Sequence, residues 1–364
     1  MIHGKNEVVH YLLERGLLDA RDVVAGDLVV VELIRRHHNF AVMRGKSPGI
    51  FVKQIQDQPM AAQTLQKEAA FYALLDADPA LAPIRALLPK FHAYDPDRHM
   101  LVVEMVAGAE DVNAQHRMRG EFSVDAATRI GQAIASYHDV AKRELVGKKT
   151  NVAIFTRTTP WILSFHLNRG TVQGLSAANG QLMQILQSYP EFALTLDHLR
   201  NTWRYETLIH GDMKFDNCLV TGDTIHIVDW EIAEVGDSAW DVGSIFQAYL
   251  MWWLSSLPAN NGGPDDVTDD KAAYPLEKIQ PAIRAFWNAY ASASHLEGAP
   301  ADAMLERATA CAGARLLQTV YESLNYSPSM TPNAIHEVQA AVNILRQPRA
   351  AAADLLGIPV GIYV

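Results

Sequence analysis

One segment constrains the fold more than any other: two short apolar runs joined by a tight turn, with polar side chains at both ends. Asn217 precedes the apolar run Cys218–Val220, Thr221–Asp223 has the composition of a turn, and Thr224–Val228 leads to Asp229. A β-hairpin of this length returns its second strand to the start of the first. We therefore expect Asn217 and Asp229 to lie side by side.

A polar loop precedes this hairpin. Leu208-Ile209 leads into His210–Lys214, and Asp212 lies five positions before Asn217. Phosphoryl transfer requires an aspartate that accepts the proton of an attacking hydroxyl, with an amide and a second carboxylate that hold Mg²⁺ against the phosphates. Each residue alone is more often a turn or cap residue. The joint pattern predicts Asp212 as the catalytic base and Asn217 and Asp229 as magnesium ligands.

The segment resembles the aminoglycoside phosphotransferase and choline kinase branch of the protein-kinase-like fold. Asp229–Ala233 and Gly236–Asp241 look like the metal loop and the following helix start of that branch. By this resemblance Asp241 would steady the catalytic loop through hydrogen bonds, although Ser238 replaces the usual proline. No long activation segment follows Asp229, which argues against a regulated protein kinase.

The resemblance implies an α+β, two-lobed protein-kinase-like fold with ATP and Mg²⁺ as cofactors. Residues 1–106 would form a small N-lobe, an antiparallel sheet with one helix that binds the nucleotide phosphates. Residues 107–364 would form a larger, mostly helical C-lobe with the catalytic loop, the metal loop and helical insertions. Acceptor choice is then expected to depend on Lys142–Arg204 and Gly243–Tyr326.

Two upstream segments fit the same resemblance. Ile50–Gln54 is predicted as a strand whose Lys53 would neutralise the nucleotide phosphates, and Gln66–Leu75 as a helix whose Glu68 would pair with Lys53. Taken alone, Lys53 would be an ordinary edge-strand lysine and Glu68 a solvated helix residue. The downstream loop favours the functional interpretation of both.

The hinge and the first hairpin complete the nucleotide assignment. Met100–Gly108 looks like the strand and hinge between the lobes, in which backbone groups near Glu104 and Val106 would meet the adenine edge. A hairpin is predicted from strands Asp27–Ile34 and Phe40–Arg44, with a turn that runs from Arg35 to Asn39 and lacks glycine. Its arginines, Arg35 and Arg36, would clamp phosphate oxygens or would be solvated turn residues, and Asn39 is assigned with Arg35 to nucleotide binding.

The identity of the acceptor stays open. Lys214, two positions after Asp212, would neutralise the transferred group in the catalytic step. The main hypothesis is a hydroxyl of a small molecule, such as an aminoglycoside-like antibiotic or a metabolite. A second is the Ser or Thr hydroxyl of a peptide in natural-product biosynthesis, and a third is a non-catalytic nucleotide-binding module. Glu231 and Glu234, just beyond the metal loop, would touch the acceptor or would be solvated polar residues, and the second is expected.

Composition limits the partners. The chain has 364 residues, 49% of them apolar, which is enough for two lobes with their own cores. A formal charge of −10 without a basic run argues against a nucleic-acid partner. The most apolar run, Ile245–Leu257, is too short to span a bilayer, and Pro258–Pro275 is predicted as a mobile acidic loop. Two cysteines make no disulfide framework, so a reducing cytoplasm is expected.

Overall fold

The computed structural model describes residues 2, 4–34, 38–45, 47–55, 59–148, 152–167, 176–258 and 272–361. The chain forms two compact units. Unit 1 comprises Met1–Val112, Asn151–Phe155 and Asp216–Ala233. Unit 2 comprises Asn113–Thr150, Thr156–Phe215 and Glu234–Val364.

The helices and strands of the described residues alternate near the start of the chain and become almost wholly helical later. The helices are α1 (Lys5–Glu14), α2 (Ala20–Val24), α3 (Pro59–Ala77), α4 (Ala82–Arg85), α5 (Val112–Arg119), α6 (Val124–Val140), α7 (Ala177–Gln187), α8 (Pro190–Asn201), α9 (Ser238–Ser256), α10 (Leu276–Ala293), α11 (Gly298–Ser323), α12 (Pro332–Arg346) and α13 (Pro348–Asp354). The strands are β1 (Leu28–Ile34), β2 (His38–Arg44), β3 (Ser47–Gln54), β4 (Phe91–Asp95), β5 (Met100–Met105), β6 (Glu110–Asp111), β7 (Thr207–Ile209), β8 (Cys218–Thr221), β9 (Thr224–Ile227) and β10 (Glu234–Gly236).

Unit 1 is built on an antiparallel sheet in the order β1-β2-β3-β5-β4. Helix α1 packs on this sheet through a core of aliphatic and aromatic side chains that exclude water, which include Val8, Tyr11, Leu12, Phe40, Val42, Val52 and Val102. A smaller sheet, β6-β8-β9, belongs to the same unit. An antiparallel sheet near the start of the chain, followed by mostly helical residues, confirms the α+β class predicted from the sequence.

Helix α3 holds the late segments of unit 1 in place. The ring of Phe71 on α3 lies 5.2 Å from that of Trp230 and 5.5 Å from that of Phe155. Trp230 is completely buried. Aromatic rings at these separations gain from both burial and ring contact. Residues from three distant parts of the sequence therefore share one core.

The predicted first hairpin differs from the observed one at its second strand. Strand β2 begins at His38, and Asn39 is paired with Leu33 on β1 and with Lys53 on β3. The prediction that Asn39 belongs to the turn is therefore wrong, because sheet pairing on both sides outweighs its turn propensity. Arg35 and Arg36 lie outside the described residues, and so do residues 259–271 of the predicted acidic loop.

Unit 2 is a helical assembly in which α6 packs on α10, and α11 on α9 and α12. Two of these contacts require glycine. A Cβ at Gly131 of α6 would stand 2.4 Å from the carbonyl oxygen of Phe286, and one at Gly243 of α9 would stand 2.4 Å from that of Ala308. Because no methyl group fits at such distances, the glycines allow the helix backbones to touch. Ser123 caps the first turn of α6 by accepting a hydrogen bond from the amide of Ala126.

No helix among the described residues combines the length and the apolar character that crossing a membrane requires.

Candidate active site

The hairpin β8–β9 brings Asn217 and Asp229 close together, as the sequence predicts. Cys218 pairs with Ile227 and Thr221 with Thr224 around a two-residue turn, and the amide of Val228 donates to the carbonyl of Asn217 at 3.0 Å. Asn217 is buried, with 5% of its surface exposed. The two predicted magnesium ligands therefore flank one end of the ribbon.

Asp229 has a backbone conformation that an aspartate rarely adopts. Its φ and ψ are 71° and 53°, in the left-handed region. Such a conformation costs about 1 kcal/mol or more for a non-glycine residue and persists where the surroundings enforce it. Here the next amide, that of Trp230, donates to Oε1 of Glu68 at 3.2 Å, and the Lys53 ammonium donates to the Asp229 carboxylate. The strain turns the Asp229 side chain toward Lys53.

Lys53 is the centre of an ion-pair network in unit 1. Its ammonium lies 2.8 Å from the Glu68 carboxylate, in contact with that of Asp229, and 3.4 Å from that of Glu231. Burial alone lowers the pKa of Lys53, but the three carboxylates outweigh it, and the pKa is raised well above its ordinary value. Lys53 is therefore a permanent cation in a site with an excess of negative charge.

Glu231 differs from the expectation that it is solvated. Only 6% of its surface is exposed, and its carboxylate accepts from the Thr64 hydroxyl at 3.3 Å besides contacting Lys53. Glu231 follows Asp229 by two positions in a 3₁₀ turn, a proximity that the sequence contains but that no spacing rule marks as functional. The helical turn after the metal loop returns its side chain to Lys53.

The oxygen-rich donor set of unit 1 suits Mg²⁺. The carboxylates of Glu68, Asp229 and Glu231 offer ligand atoms that all lie within 4.8 Å of one another. Carboxylate and amide oxygens are the ligands that this hard cation prefers. The buried amide of Asn217 at the adjoining strand end is a donor of the same class. The residues present therefore fit the ion that the sequence implies.

Asp212, in unit 2, is held by two cations. Its Oδ2 lies 2.6 Å from the ammonium of Lys214, and its Oδ1 lies 3.0 Å from the guanidinium of Arg315. Burial raises the pKa of Asp212, but the charges of Arg315 and Lys214 outweigh it, and the pKa is lowered. Asp212 is thus a carboxylate at neutral pH.

Hydrogen bonds attach the loop that carries Asp212 to the first turn of α9. The carboxylate of Asp241 accepts hydrogen bonds from the amides of His210 at 2.7 Å and Gly211 at 3.1 Å, and Trp240 donates its indole N–H to the Gly211 carbonyl at 3.1 Å. Gly211 has φ +82°, so the bend of this loop requires a residue without a side chain. The supporting role that the resemblance implies for Asp241 matches these contacts.

Asp241 is itself held in place by the side chains of Tyr137 and His138. Tyr137 donates its hydroxyl to Asp241 at 2.5 Å, and the His138 ring lies 3.4 Å from the same oxygen and 3.2 Å from the Tyr290 hydroxyl. Burial raises the pKa of Asp241, but the hydrogen bond from His138 and neighbouring charges lower it overall. His138 is a buried residue at the end of α6 that packs against the Tyr290 ring.

Glu104 and Val106 lie where β5 ends. The amide of Glu104 donates to the Lys90 carbonyl at 2.7 Å, and the carbonyl of Val106 accepts from the Ala109 amide at 3.2 Å. The adenine contacts assigned to these two residues stay a prediction, as do the roles of Arg35 and Asn39. Asn39 is next to Lys53 across β2 and β3, and its buried Oδ1 makes no hydrogen bond to described residues.

Arg315 is the residue that the sequence does not reveal. It lies on α11, 103 positions after Asp212, within an otherwise ordinary amphipathic helix. No motif spacing links the two, and a lone helical arginine is usually a surface residue. Its charge reaches Asp212 only through the packing of α9 on α11.

The chain is a phosphotransferase with the protein-kinase-like fold that the sequence predicts. A sequence model described as the phosphotransferase enzyme family, APH, matches residues 33–263, and the chain belongs to that family. Its members are kinases that act on hydroxyl groups, so the predicted enzyme class is confirmed. Comparison with curated proteins gives no significant match.

Solved structures share the fold at low sequence identity. A choline kinase from Cryptosporidium parvum Iowa II is similar at a TM-score of 0.58 and 13% identity, over 94% of this chain and 97% of that one. An amicoumacin kinase, hAmiN, in complex with AMP-PNP, Ca²⁺ and Ami gives 0.52 and 11%, over 93% and 96%. The macrolide 2'-phosphotransferase MphH from Brachybacterium faecium gives 0.50 and 14%, over 94% and 99%.

Proposed function

We propose that this protein transfers the γ-phosphoryl group of ATP directly to a hydroxyl group of a small molecule, in line and without a phosphoenzyme. The observation that carries the proposal is the pair of cations on Asp212, which keeps a base in its active, ionised form on a loop anchored at two amides. A purely structural loop has no need of an ionised carboxylate held in this way.

Unit 1 supplies the residues assigned to the nucleotide and the metal. Lys53, fixed by Glu68, would neutralise the phosphates. Asn217 and Asp229 would hold Mg²⁺, which supplies charge neutralisation on the phosphate oxygens when it is bound. The backbone near Glu104 and Val106 would bind the adenine edge.

Unit 2 supplies the acceptor chemistry. Asp212 accepts the proton of the acceptor hydroxyl, whose oxygen forms a bond to the γ-phosphorus while the bond from that phosphorus to the ADP oxygen breaks. ADP leaves with the electron pair, and the proton passes from Asp212 to solvent. Lys214, 2.6 Å from Asp212 and 40% exposed, is able to turn toward the transferred group and neutralise it.

The names of the structural neighbours support a small molecule as the acceptor: choline, amicoumacin and a macrolide. An aminoglycoside-like antibiotic or a hydroxylated metabolite is the corresponding proposal for this chain. Lys214 is the feature that favours the second candidate, a Ser or Thr hydroxyl of a peptide, because a lysine two positions after the base is common in kinases of protein substrates. Both free cysteines, Cys218 and Cys311, are buried, in keeping with a cytoplasmic enzyme.

The test is an acceptor screen with labelled ATP and MgCl₂. Aminoglycosides, macrolides, amino alcohols and Ser/Thr peptides are incubated with the wild type and with Asp212→Asn, and the products are identified by mass spectrometry. We expect phosphate on a small-molecule hydroxyl, and none with the variant. Phosphate on peptides alone would replace the small-molecule proposal by the peptide one. ATP binding without transfer or hydrolysis would leave the nucleotide-binding module as the function.

A further inference from the structure

Arg315 is a buried cation that contacts the proposed base. Its side chain is 6% exposed, and its Nη2 donates to Oδ1 of Asp212 at 3.0 Å. The other oxygen of Asp212, Oδ2, contacts Lys214, whose side chain is 40% exposed. These two cations thus differ: Arg315 is fixed in the helical core, whereas Lys214 is at the surface and neighbours Asp212 in the chain.

The guanidinium of Arg315 is held by the same residue that holds the loop. Its Cζ lies 5.7 Å from the centroid of the Trp240 ring, a cation–π geometry. Trp240 also donates its indole N–H to the carbonyl of Gly211, the residue before Asp212. The position of the Arg315 charge and the position of the loop backbone therefore depend on one side chain.

Burial of the Arg315 guanidinium costs free energy. Its Nε is shielded from solvent and makes no hydrogen bond within the part of the chain that the structure describes. A buried charge with an unpaired donor costs several times more than an apolar side chain of the same size. An apolar residue at 315 would therefore serve the packing of α11 better, and a functional reason for arginine is required.

We infer that Arg315 is the positioning residue of the proposed phosphoryl transfer: it fixes Oδ1 of Asp212 so that Oδ2 faces the acceptor hydroxyl. This inference rests on the proposed function. Lys214 is free to leave Oδ2 for the transferred phosphoryl group, since Arg315 still neutralises the carboxylate. The proton moves from the acceptor hydroxyl to Oδ2, while the Arg315 guanidinium stays hydrogen-bonded to Oδ1.

The charge of Arg315 also sets the working pH range of the base. Among the described residues, the groups whose charges lower the pKa of Asp212 include Arg315 on α11 and Lys214 and His210 on its own loop. Burial raises the pKa of Asp212, and Arg315 is the largest of the charges that outweigh this effect. Without Arg315, burial would regain influence, and more of the base would be protonated at mildly acidic pH.

The test compares Arg315→Met, which keeps an unbranched side chain without the charge, with Arg315→Lys, which keeps the charge without the fork. We expect Arg315→Met to lower kcat by about 10²-fold, with the KM for ATP within about twofold, because the change affects proton transfer and not the nucleotide. The acidic limb of its kcat/KM profile should move up by about one pH unit. Arg315→Lys should recover part of kcat and return the limb toward that of the wild type.

Arg307→Met is the matched control on the same helix. Arg307 binds Asp237 and the carbonyl of Thr202 and contacts nothing in the loop that carries Asp212, within the described residues. It should lower stability without moving the acidic limb. An unchanged profile and kcat in Arg315→Met would overturn the inference, as would an equal shift in Arg307→Met. Should Arg315→Met not fold, Arg315→Gln takes its place in each comparison.

A second measurement separates this inference from the proposed function. In protein labelled with ¹³C at the aspartate carboxyl carbons, the Asp212 resonance is identified by its loss in Asp212→Asn, and its titration is followed without substrate. We expect its midpoint to rise in Arg315→Met. If the midpoint rises but the protein phosphorylates no acceptor, the effect of Arg315 on the charge of Asp212 is supported and the proposed function is refuted. An unmoved midpoint would discard the contact as the source of the charge state.

Discussion

Gly243 of α9 and Ala308 of α11 touch through their backbones: a Cβ at Gly243 would stand 2.4 Å from the Ala308 carbonyl oxygen and 2.8 Å from the Ala312 amide nitrogen. The contact fixes the separation of the two helices that hold the loop with Asp212. Helix α9 carries Trp240 and Asp241, and α11 carries Arg315. The contact between Arg315 and Asp212 therefore depends on the absence of a side chain at Gly243.

Gly243→Ala should harm both stability and activity. The added methyl group forces α9 and α11 apart, at a cost of about 1–3 kcal/mol in the free energy of unfolding. Movement of α11 also withdraws Arg315 from Asp212, so kcat should fall more than the KM for ATP rises. Gly180→Ala on α7 is the control, since a Cβ there meets nothing within 4 Å and should stabilise by about 0.5–1 kcal/mol. Urea unfolding and steady-state rates measure both effects, and a fully active, equally stable Gly243→Ala would contradict the argument.

Asp212→Asn and Asp229→Ala should fail in different ways. The first removes the proton acceptor, so turnover should drop by about 10²- to 10⁴-fold with nucleotide affinity nearly unchanged. The second removes a proposed magnesium ligand, so Mg²⁺-dependent ATP binding should be lost as well. Calorimetric titration with ATP, with and without MgCl₂, separates the two. Wild-type turnover in both variants would show that the roles are wrongly assigned.

Lys53→Met should be far more destabilising than Glu68→Gln. Without the lysine, Glu68, Asp229 and Glu231 keep like charges within 4.8 Å of one another, whereas Glu68→Gln leaves Lys53 with two carboxylates. Breaking a buried ion pair in this way costs about 3–5 kcal/mol. Millimolar MgCl₂ should raise the Tm of Lys53→Met more than that of the wild type, because the ion replaces the lost cation. NaCl at the same ionic strength is the control, and equal effects of both salts would argue against a metal site.

Glu337 on α12 should weaken the fold as the pH rises. Burial raises its pKa from 4.5 to about 7, so the folded state favours the neutral acid. Its contribution is therefore most favourable below about pH 4.5, is lost as the pH rises through 7, and stays lost above. Glu337→Gln should match the wild type near pH 4 and be more stable by about 3 kcal/mol at pH 8.

The control for this prediction is Glu277→Gln, which changes an exposed carboxylate on α10. Its effect on the free energy of unfolding should stay within about 0.5 kcal/mol at both pH values. A Glu337→Gln variant with the same, pH-independent effect would show that Glu337 is not held neutral by the fold.

What the sequence predicts well is local. Strands Cys218–Val220 and Thr224–Val228 are observed within one residue of their predicted ends, because the turn chemistry at Gly222, with φ +51°, is contained in the turn itself. The contact between Lys53 and Glu68 was predictable only through the family resemblance, which pairs the two residues. What fails depends on tertiary packing. Asn39 has turn propensity but is paired in a sheet, and Arg315 reaches Asp212 only because Gly243 lets two helices meet.

The discontinuous composition of unit 1 has a consequence for how the chain is made. Its core includes the contact between Phe71 and Trp230, and Trp230 is synthesised long after the first 112 residues. Phe71 therefore leaves the ribosome before its partner Trp230 has been made. A nascent chain extends at about 5–20 residues per second, so this unit waits several seconds, while much of the other unit is synthesised, before it is complete. During that interval the apolar face of α3 is open to chaperones, and truncation before Trp230 should yield an insoluble fragment.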